Sequence, residues 1–210
     1  MQARSALVFG FSALAVVSCK KGFGSGFEGA ITMHIRSATG ESDMVVKTKG
    51  DKMRFETAGS YMLFDPATNT VTMVNDATKT FSVVDFSGPH APRANTSPET
   101  AQIEKSGKHE TIAGIDCEDW TVHDAGKRSE VCVAQGIAFF DVGSLKGGGS
   151  GGGLAKELRD KKLFPLRDVE YDASGKELSR MEVTKVEKKS LDDAELSVPQ
   201  GYAKISLPGT

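Results

Sequence analysis

The chain has 210 residues, 39% hydrophobic, 26% charged and 7% aromatic, and its 26 Lys and Arg against 28 Asp and Glu leave a formal charge of −2. That is the make-up of an ordinary globular chain, long enough to bury one sizeable core and too short to demand two domains. The basic residues are scattered, so the electrostatic footprint that nucleic acid requires is missing, and no nucleic-acid partner is expected.

Residues 1–18, MQARSALVFGFSALAVVS, place one positive charge at Arg4 before an apolar stretch from Ala6 to Val17. This is the pattern of a secretory signal. The stretch is shorter than the roughly 20 residues a helix needs to cross ~30 Å of hydrocarbon, so it does not predict a spanning helix. Val16-Val17-Ser18-Cys19 resembles the lipobox of bacterial lipoproteins, in which the cysteine is acylated and becomes the new N-terminus. Two or three acyl chains hold a protein to a bilayer where one would not. Cys19 is therefore the expected lipid-attachment residue, and the membrane is a partner through it. Lys20 after the cysteine resembles the outer-membrane sorting pattern, which puts the chain in the bacterial cell envelope. Residues 19–26, CKKGFGSG, read as a flexible tether, and residues 27–207 as a single domain.

From Phe27 onward, apolar residues at 27, 31, 33 and 35 alternate with Glu28, Thr32, His34 and Arg36, the period of a strand. Short β-like runs follow at 43–48, 52–57, 60–65, 70–75 and 79–85, separated by turn residues, which predicts an antiparallel meander. Assigning each turn a centre sets Ile35 opposite Met44, Val46 opposite Phe55, Phe55 opposite Met62 and Met62 opposite Met73. One face then holds Phe27, Ile31, Met33, Ile35, Met44, Val46, Met53, Phe55, Met62, Phe64, Val71 and Met73. The other begins with Thr32, His34, Arg36, Lys47, Lys52, Arg54 and Glu56, giving a dry side and a wet one.

Residues 86–100, rich in Pro, Ser and Asn, read as a long surface loop. Two strands lead from there into a hairpin between Cys117 and Cys132. With Cys19 assigned to lipid, these two are left as a pair in an exported chain. A turn centred between Asp124 and Ala125 sets them directly opposite each other, and a structural disulfide is expected. A metal or redox pair has no support, because further ligands at metal spacing and a Cys-x-x-Cys are both lacking. The Gly-rich loop at 146–153 precedes a short helix at 154–162, with Leu154, Leu158 and Lys161 assigned to one side. A hairpin around Ala173-Ser174-Gly175 places Val169 and Tyr171 in one strand and Met181 and Val183 in the other. Asp192-Asp193 opens a helical turn before an extended tail.

No catalytic constellation, dinucleotide fingerprint or phosphate loop is present in the sequence, so neither an enzyme nor a cofactor is expected, and the four His are widely spaced. The methionines say more. Met33, Met44, Met53, Met62 and Met73 fall one per strand on one inferred face. Met is flexible and polarizable, suited to a surface that accepts varied apolar shapes. The stripe is either a Met-rich core under the helix or an apolar cleft lined by Met33, Met44, Met53, Phe55, Met62, Phe64 and Met73.

Ile112-Ala113-Gly114-Ile115-Asp116-Cys117, Trp120, Val131-Cys132-Val133-Ala134, Phe164-Pro165-Leu166 and Val198-Pro199 with Gly201-Tyr202 resemble an uncharacterised family of secreted bacterial proteins, domain of unknown function 4412, grouped with the LolA/LolB-like lipoprotein carriers. The resemblance implies a mainly β (α+β) fold, a curved antiparallel sheet or half-barrel with one or two short helices on the concave side. In the carriers that shape shelters acyl chains. Two functions stay open: a non-enzymatic envelope lipoprotein that binds an apolar ligand or lipidated partner in the curved sheet, and a structural lipoprotein with a closed core that contacts another envelope protein through the loops at 86–100 and 146–153.

Overall fold

The computed structural model describes residues 27–65, 67–85, 101–124, 126–137 and 153–206. The signal peptide at 1–18, Cys19, the tether at 19–26, the loop at 86–100 and all but the last residue of the loop at 146–153 lie outside the described residues.

The strands are β1 (Gly29–Ser37), β2 (Gly40–Lys49), β3 (Lys52–Thr57), β4 (Ser60–Asp65), β5 (Thr70–Asn75), β6 (Thr80–Asp85), β7 (Gln102–Ile112), β8 (Ile115–Asp124), β9 (Lys127–Gln135), β10 (Leu163–Tyr171), β11 (Glu177–Lys188) and β12 (Ala203–Lys204). They form one sheet in the order β12-β6-β5-β4-β3-β2-β1-β11-β10-β9-β8-β7. Two meanders, β1–β6 and β7–β11, are joined where β1 pairs antiparallel with β11 from Gly29↔Lys188 to Ser37↔Ser179. Among the described strands only β12 runs parallel to its neighbour, β6. The sheet is open and curved, mainly β with one helix, as expected.

Register confirms the single apolar face of the first meander. Val46 pairs with Phe55, Phe55 with Met62 and Met62 with Met73, as the turn centres predict. The first hairpin differs: Met33, not Ile35, faces Met44, and Ile35 faces Ser42. The turn is Ala38-Thr39, one residue earlier than the centre that set Ile35 opposite Met44, because Gly40 extends β2 opposite Ser37. Moving a hairpin centre by one residue moves partners by two, so the face is preserved. The same arithmetic corrects the cysteines. The β8–β9 loop lies between Asp124 and Lys127 and contains Gly126 at φ 79°, so Cys132 stands opposite Asp119, two residues along from Cys117. The disulfide between them forms nonetheless across a Cα–Cα distance of 5.5 Å.

The helix α1 (Gly153–Lys161) buries Leu154 and Leu158, one turn apart. Lys161 does not join them: it stays half-exposed and pairs with Glu157, while Lys156 pairs with Asp160, two i,i+4 links along the outer side. Lys162 at φ 54° ends the helix and turns the chain into β10. One buried cluster groups Leu154 and Leu158 with Trp120, Val122, Val131, Val133 and Leu163. The larger one links the meanders, taking Ile31, Met33, Val46 and Phe55 from one and Phe164, Leu166, Val183 and both bridged cysteines from the other.

The charged face is not simply wet. After β11 the chain crosses it as a strap, opened by a 3-10 turn at Asp193–Leu196 that Asp192 and Glu195 cap reciprocally. Lys49 Nζ donates to the Leu191 carbonyl at 2.8 Å, Arg54 to the Glu195 carbonyl at 3.0 Å and Tyr61 Oη to the Ser197 carbonyl at 3.4 Å. The strap's own Leu191 and Leu196 are buried. Its end forms β12 and covers the backbone of edge strand β6, which would otherwise be open to pairing with another chain.

The seam between the meanders needs a glycine. A Cβ on Gly29 would lie 2.0 Å from the Glu187 carbonyl oxygen, so β11 backbone would have to retreat. Gly29→Ala is expected to lower stability by about 2 kcal/mol or more, read from denaturant unfolding; a loss under ~0.5 kcal/mol, the ordinary surface range, would show that the seam is not tightly held.

Candidate functional site

Register extends one face across both meanders. Lys105 pairs with Trp120, Trp120 with Val131, Val131 with Asp168, Asp168 with Met181 and Met181 with Ile35. Directly paired residues of antiparallel strands project to the same side, so α1, packed on Trp120 and Val131, shares the concave face with the methionine row.

Burial divides the seven residues assigned to the cleft. Met33, Met53 and Phe55 are only 3%, 6% and 4% exposed and belong to the core. Met44, Met62 and Phe64 are half-buried, and Met73 is 37% exposed. Along the row Ile31, Val46, Phe55, Met62, Met73 the side chains pass from fully buried at the centre of the sheet to open at Met73 on β5, and the next member, Ser82 on β6, is buried again. Ile35 and Met181, also half-buried, continue the accessible apolar surface towards β10. The stripe is thus closed core at Met33, Met53 and Phe55 and half-buried to open at Met44, Met62, Phe64 and Met73.

Beside this surface stands a carboxyl that sequence reasoning missed. Among the described residues Asp168 Oδ1 and the Trp120 indole Nε1 are buried polar atoms without hydrogen-bond partners, on one cross-strand row with Val131 between them. Burial, then the neighbouring Glu170, pushes the Asp168 pKa up to about 6. Lys105, at the end of that row, is already engaged: its Nζ sits 4.7 Å from the Trp120 ring centroid and 2.9 Å from Glu157. The signal for Asp168 was an acid in a strand whose hairpin partner carries Met181 and Val183, but its register depends on a bulge between Glu170 and Tyr171.

Other charged groups of the second meander are held in ion pairs. Glu110 lies with Cys117 and Cys132 in a group whose spacing would suit a metal, but the sulfurs are bonded to each other and Glu110 is paired with Arg167. Arg167 also reaches Asp119 at 3.2 Å; burial first, then Glu110, raises the Asp119 pKa against the pull of Arg167. His34 and His109 are exposed and bonded to Asp43 and Asp116 at 2.8 and 2.9 Å. Among the described residues no helix is long and apolar enough to cross a membrane.

The model of a domain of unknown function, DUF4412, matches residues 27–202, the whole stretch from the start of β1 to the strap. The chain belongs to the DUF4412 family. Among solved structures, an uncharacterized conserved protein from Thermus thermophilus is 14% identical at a TM-score of 0.54, covering 88% of this chain and 93% of that one, and it shows the same fold. Looser likenesses are a Pseudomonas aeruginosa MucA/MucB complex, 12% identical at TM-score 0.41 over 81% of this chain and 55% of that one, and a putative outer membrane lipoprotein-sorting protein domain from Vibrio parahaemolyticus, 10% identical at TM-score 0.32 over 83% and 90%. No curated protein matches this DUF4412 chain.

A raised carboxyl pKa means that the folded state holds its proton more tightly than the unfolded one, so the contribution of Asp168 is most favourable below pH ~3.8 and is lost as pH rises towards about 6. Asp168→Asn removes that loss. It is expected to stabilise the fold at pH 7.5 by up to about 3 kcal/mol, at ~1.4 kcal/mol per pKa unit, with the gain vanishing near pH 4. Urea unfolding at the two pH values checks this; a gain independent of pH would contradict the burial of the charge.

Proposed function

We propose that this DUF4412 chain is a non-enzymatic lipoprotein of the bacterial envelope, anchored through Cys19, that binds an apolar ligand or a lipidated partner on the concave face. The observation that carries the reading is the gradient along the methionine row: accessible Met44, Met62, Phe64 and Met73 rest on a closed base of Met33, Met53 and Phe55. A rigid floor under flexible thioethers gives a surface that adapts its shape without unfolding. Contiguous exposed apolar side chains mark interaction sites more often than incidental surface. The signal sequence, the lipobox-like Val16-Val17-Ser18-Cys19 and the Gly/Ser tether support the anchor.

The base and the accessible residues respond differently to polar substitution. Met62→Gln and Met73→Gln, in the full chain carrying Cys19→Ser, are expected to keep the native fold and to weaken binding of a fluorescent acyl probe about fivefold each, roughly the ~1 kcal/mol of apolar contact removed. Met53→Gln buries an amide without a partner and is expected to destabilise the fold by about 2 kcal/mol or more. If Met62→Gln and Met73→Gln leave probe binding unchanged, the probe does not seat on this face and the apolar-ligand reading fails.

The anchor is tested separately. The wild-type chain expressed in a bacterial host is expected to incorporate labelled palmitate, and Cys19→Ser to incorporate none; equal labelling of both would remove the lipoprotein assignment.

A further inference from the structure

Among the described residues, the concave face contains two buried polar atoms without a hydrogen-bond partner. Buried polar groups are hydrogen-bonded in the great majority of cases, and each exception calls for an account. Here two exceptions, Asp168 Oδ1 and Trp120 Nε1, occupy one row of one face, two strand spacings apart, with the half-buried Met181 and Ile35 next along that row. One is an N–H donor and the other a carboxyl oxygen, so together they match a group that both accepts and donates.

We infer that the concave face takes an amphiphile whose head group is a hydrogen-bond donor without negative charge, a hydroxyl or an amide, seated on Asp168 Oδ1 from the Met181 side and reaching Trp120 Nε1 across the buried Val131, with its apolar chain along Ile35, Met181 and the methionine row. The inference rests on the apolar-ligand reading above and adds the head-group chemistry to it. A phosphate or carboxylate head is disfavoured because Asp168 would face it without a neutralising cation. The nearest cation on the row, Lys105, is held by Glu157 and the Trp120 ring. Arg167, adjacent in sequence, is paired with Glu110 and Asp119. Glu170 adds further negative charge, and Lys127 is bonded to it. The elevated proton affinity of Asp168 agrees with a site that lacks a countercharge. Access is through Met181, whose unbranched side chain can rotate aside at small cost.

The test uses the full chain with Cys19→Ser at pH 7.5, with the uncharged, headless fluorophore N-phenyl-1-naphthylamine as the bound probe and 1-monooleoylglycerol or oleate as competitor. 1-Monooleoylglycerol is expected to displace the probe at a concentration at least tenfold below that of oleate. Asp168→Leu is expected to bring the two within twofold while leaving probe binding intact. Should Asp168→Leu fail to fold, Asp168→Asn serves: its amide N–H can donate to a carboxylate, so oleate should gain at least fivefold. In probe-free samples, 1-monooleoylglycerol should also shift the emission of Trp120, the single Trp of the chain. Equal displacement by both competitors, or a preference untouched by both substitutions, overturns the head-group assignment while leaving the apolar site standing. An unmoved Trp120 emission with competitor bound overturns the part assigned to the indole. Failure of the probe itself to bind removes the apolar site and the head-group assignment with it.

Discussion

The pairing of β1 with β11 is the constraint on which the rest of the molecule depends. Each meander alone has an unpaired edge and half a core; the seam gives the sheet a common face on which α1, Trp120 and Asp168 lie beside the methionines. It is not a regular ladder. A bulge between Thr32 and Met33 absorbs one extra residue of β11, yet Ile31 and Met33 both meet apolar partners, Val186 and Val183. Close approach at Gly29 lets the two backbones meet where a side chain would hold them apart.

The two faces are then finished by different means. The concave one is built from shape, with buried Ile31, Val46 and Phe55 supporting more mobile thioethers. The other is built from charge. Lys47 bridges Glu56 and Glu195 at 3.1 and 2.9 Å, and Arg54 stacks 3.5 Å over the Tyr61 ring while bonding the strap. Surface ion pairs are individually weak. Here they take backbone carbonyls of the strap as partners, and so they fix a segment that has little regular hydrogen bonding of its own.

Much of this was legible from residue order, because period-two alternation and tight turns are local. The strands from Lys52 to Asn75 and their registers follow from Gly, Asp and Thr turns alone, and the capped turn at Asp192 from its acidic pair. The first hairpin and the cysteine hairpin each slip by one turn residue, since Gly40 and Gly126 could serve either in a loop or in a strand. Asp168 was illegible for a different reason. Extending the Tyr171↔Glu177 pair without interruption would place Asp168 beside Arg180, a comfortable ion pair. The bulge at Glu170 moves it opposite Met181 instead. The covering of the charged face was also hidden, because it depends on where the chain goes after its last long strand, and no periodicity records that.

The topology bears on when the protein can become compact. β1 emerges among the first strands, but its second neighbour, β11, is among the last, so Gly29 waits for Lys188 before the seam can close. The N-terminal meander forms through sequence-local hairpins, which are quick to assemble, whereas joining it to the second half requires closure of a loop that spans most of the domain. Until then one long flank of β1 remains available to any passing strand. A chain of this design has reason to delay collapse until nearly all of it has been delivered to a single compartment.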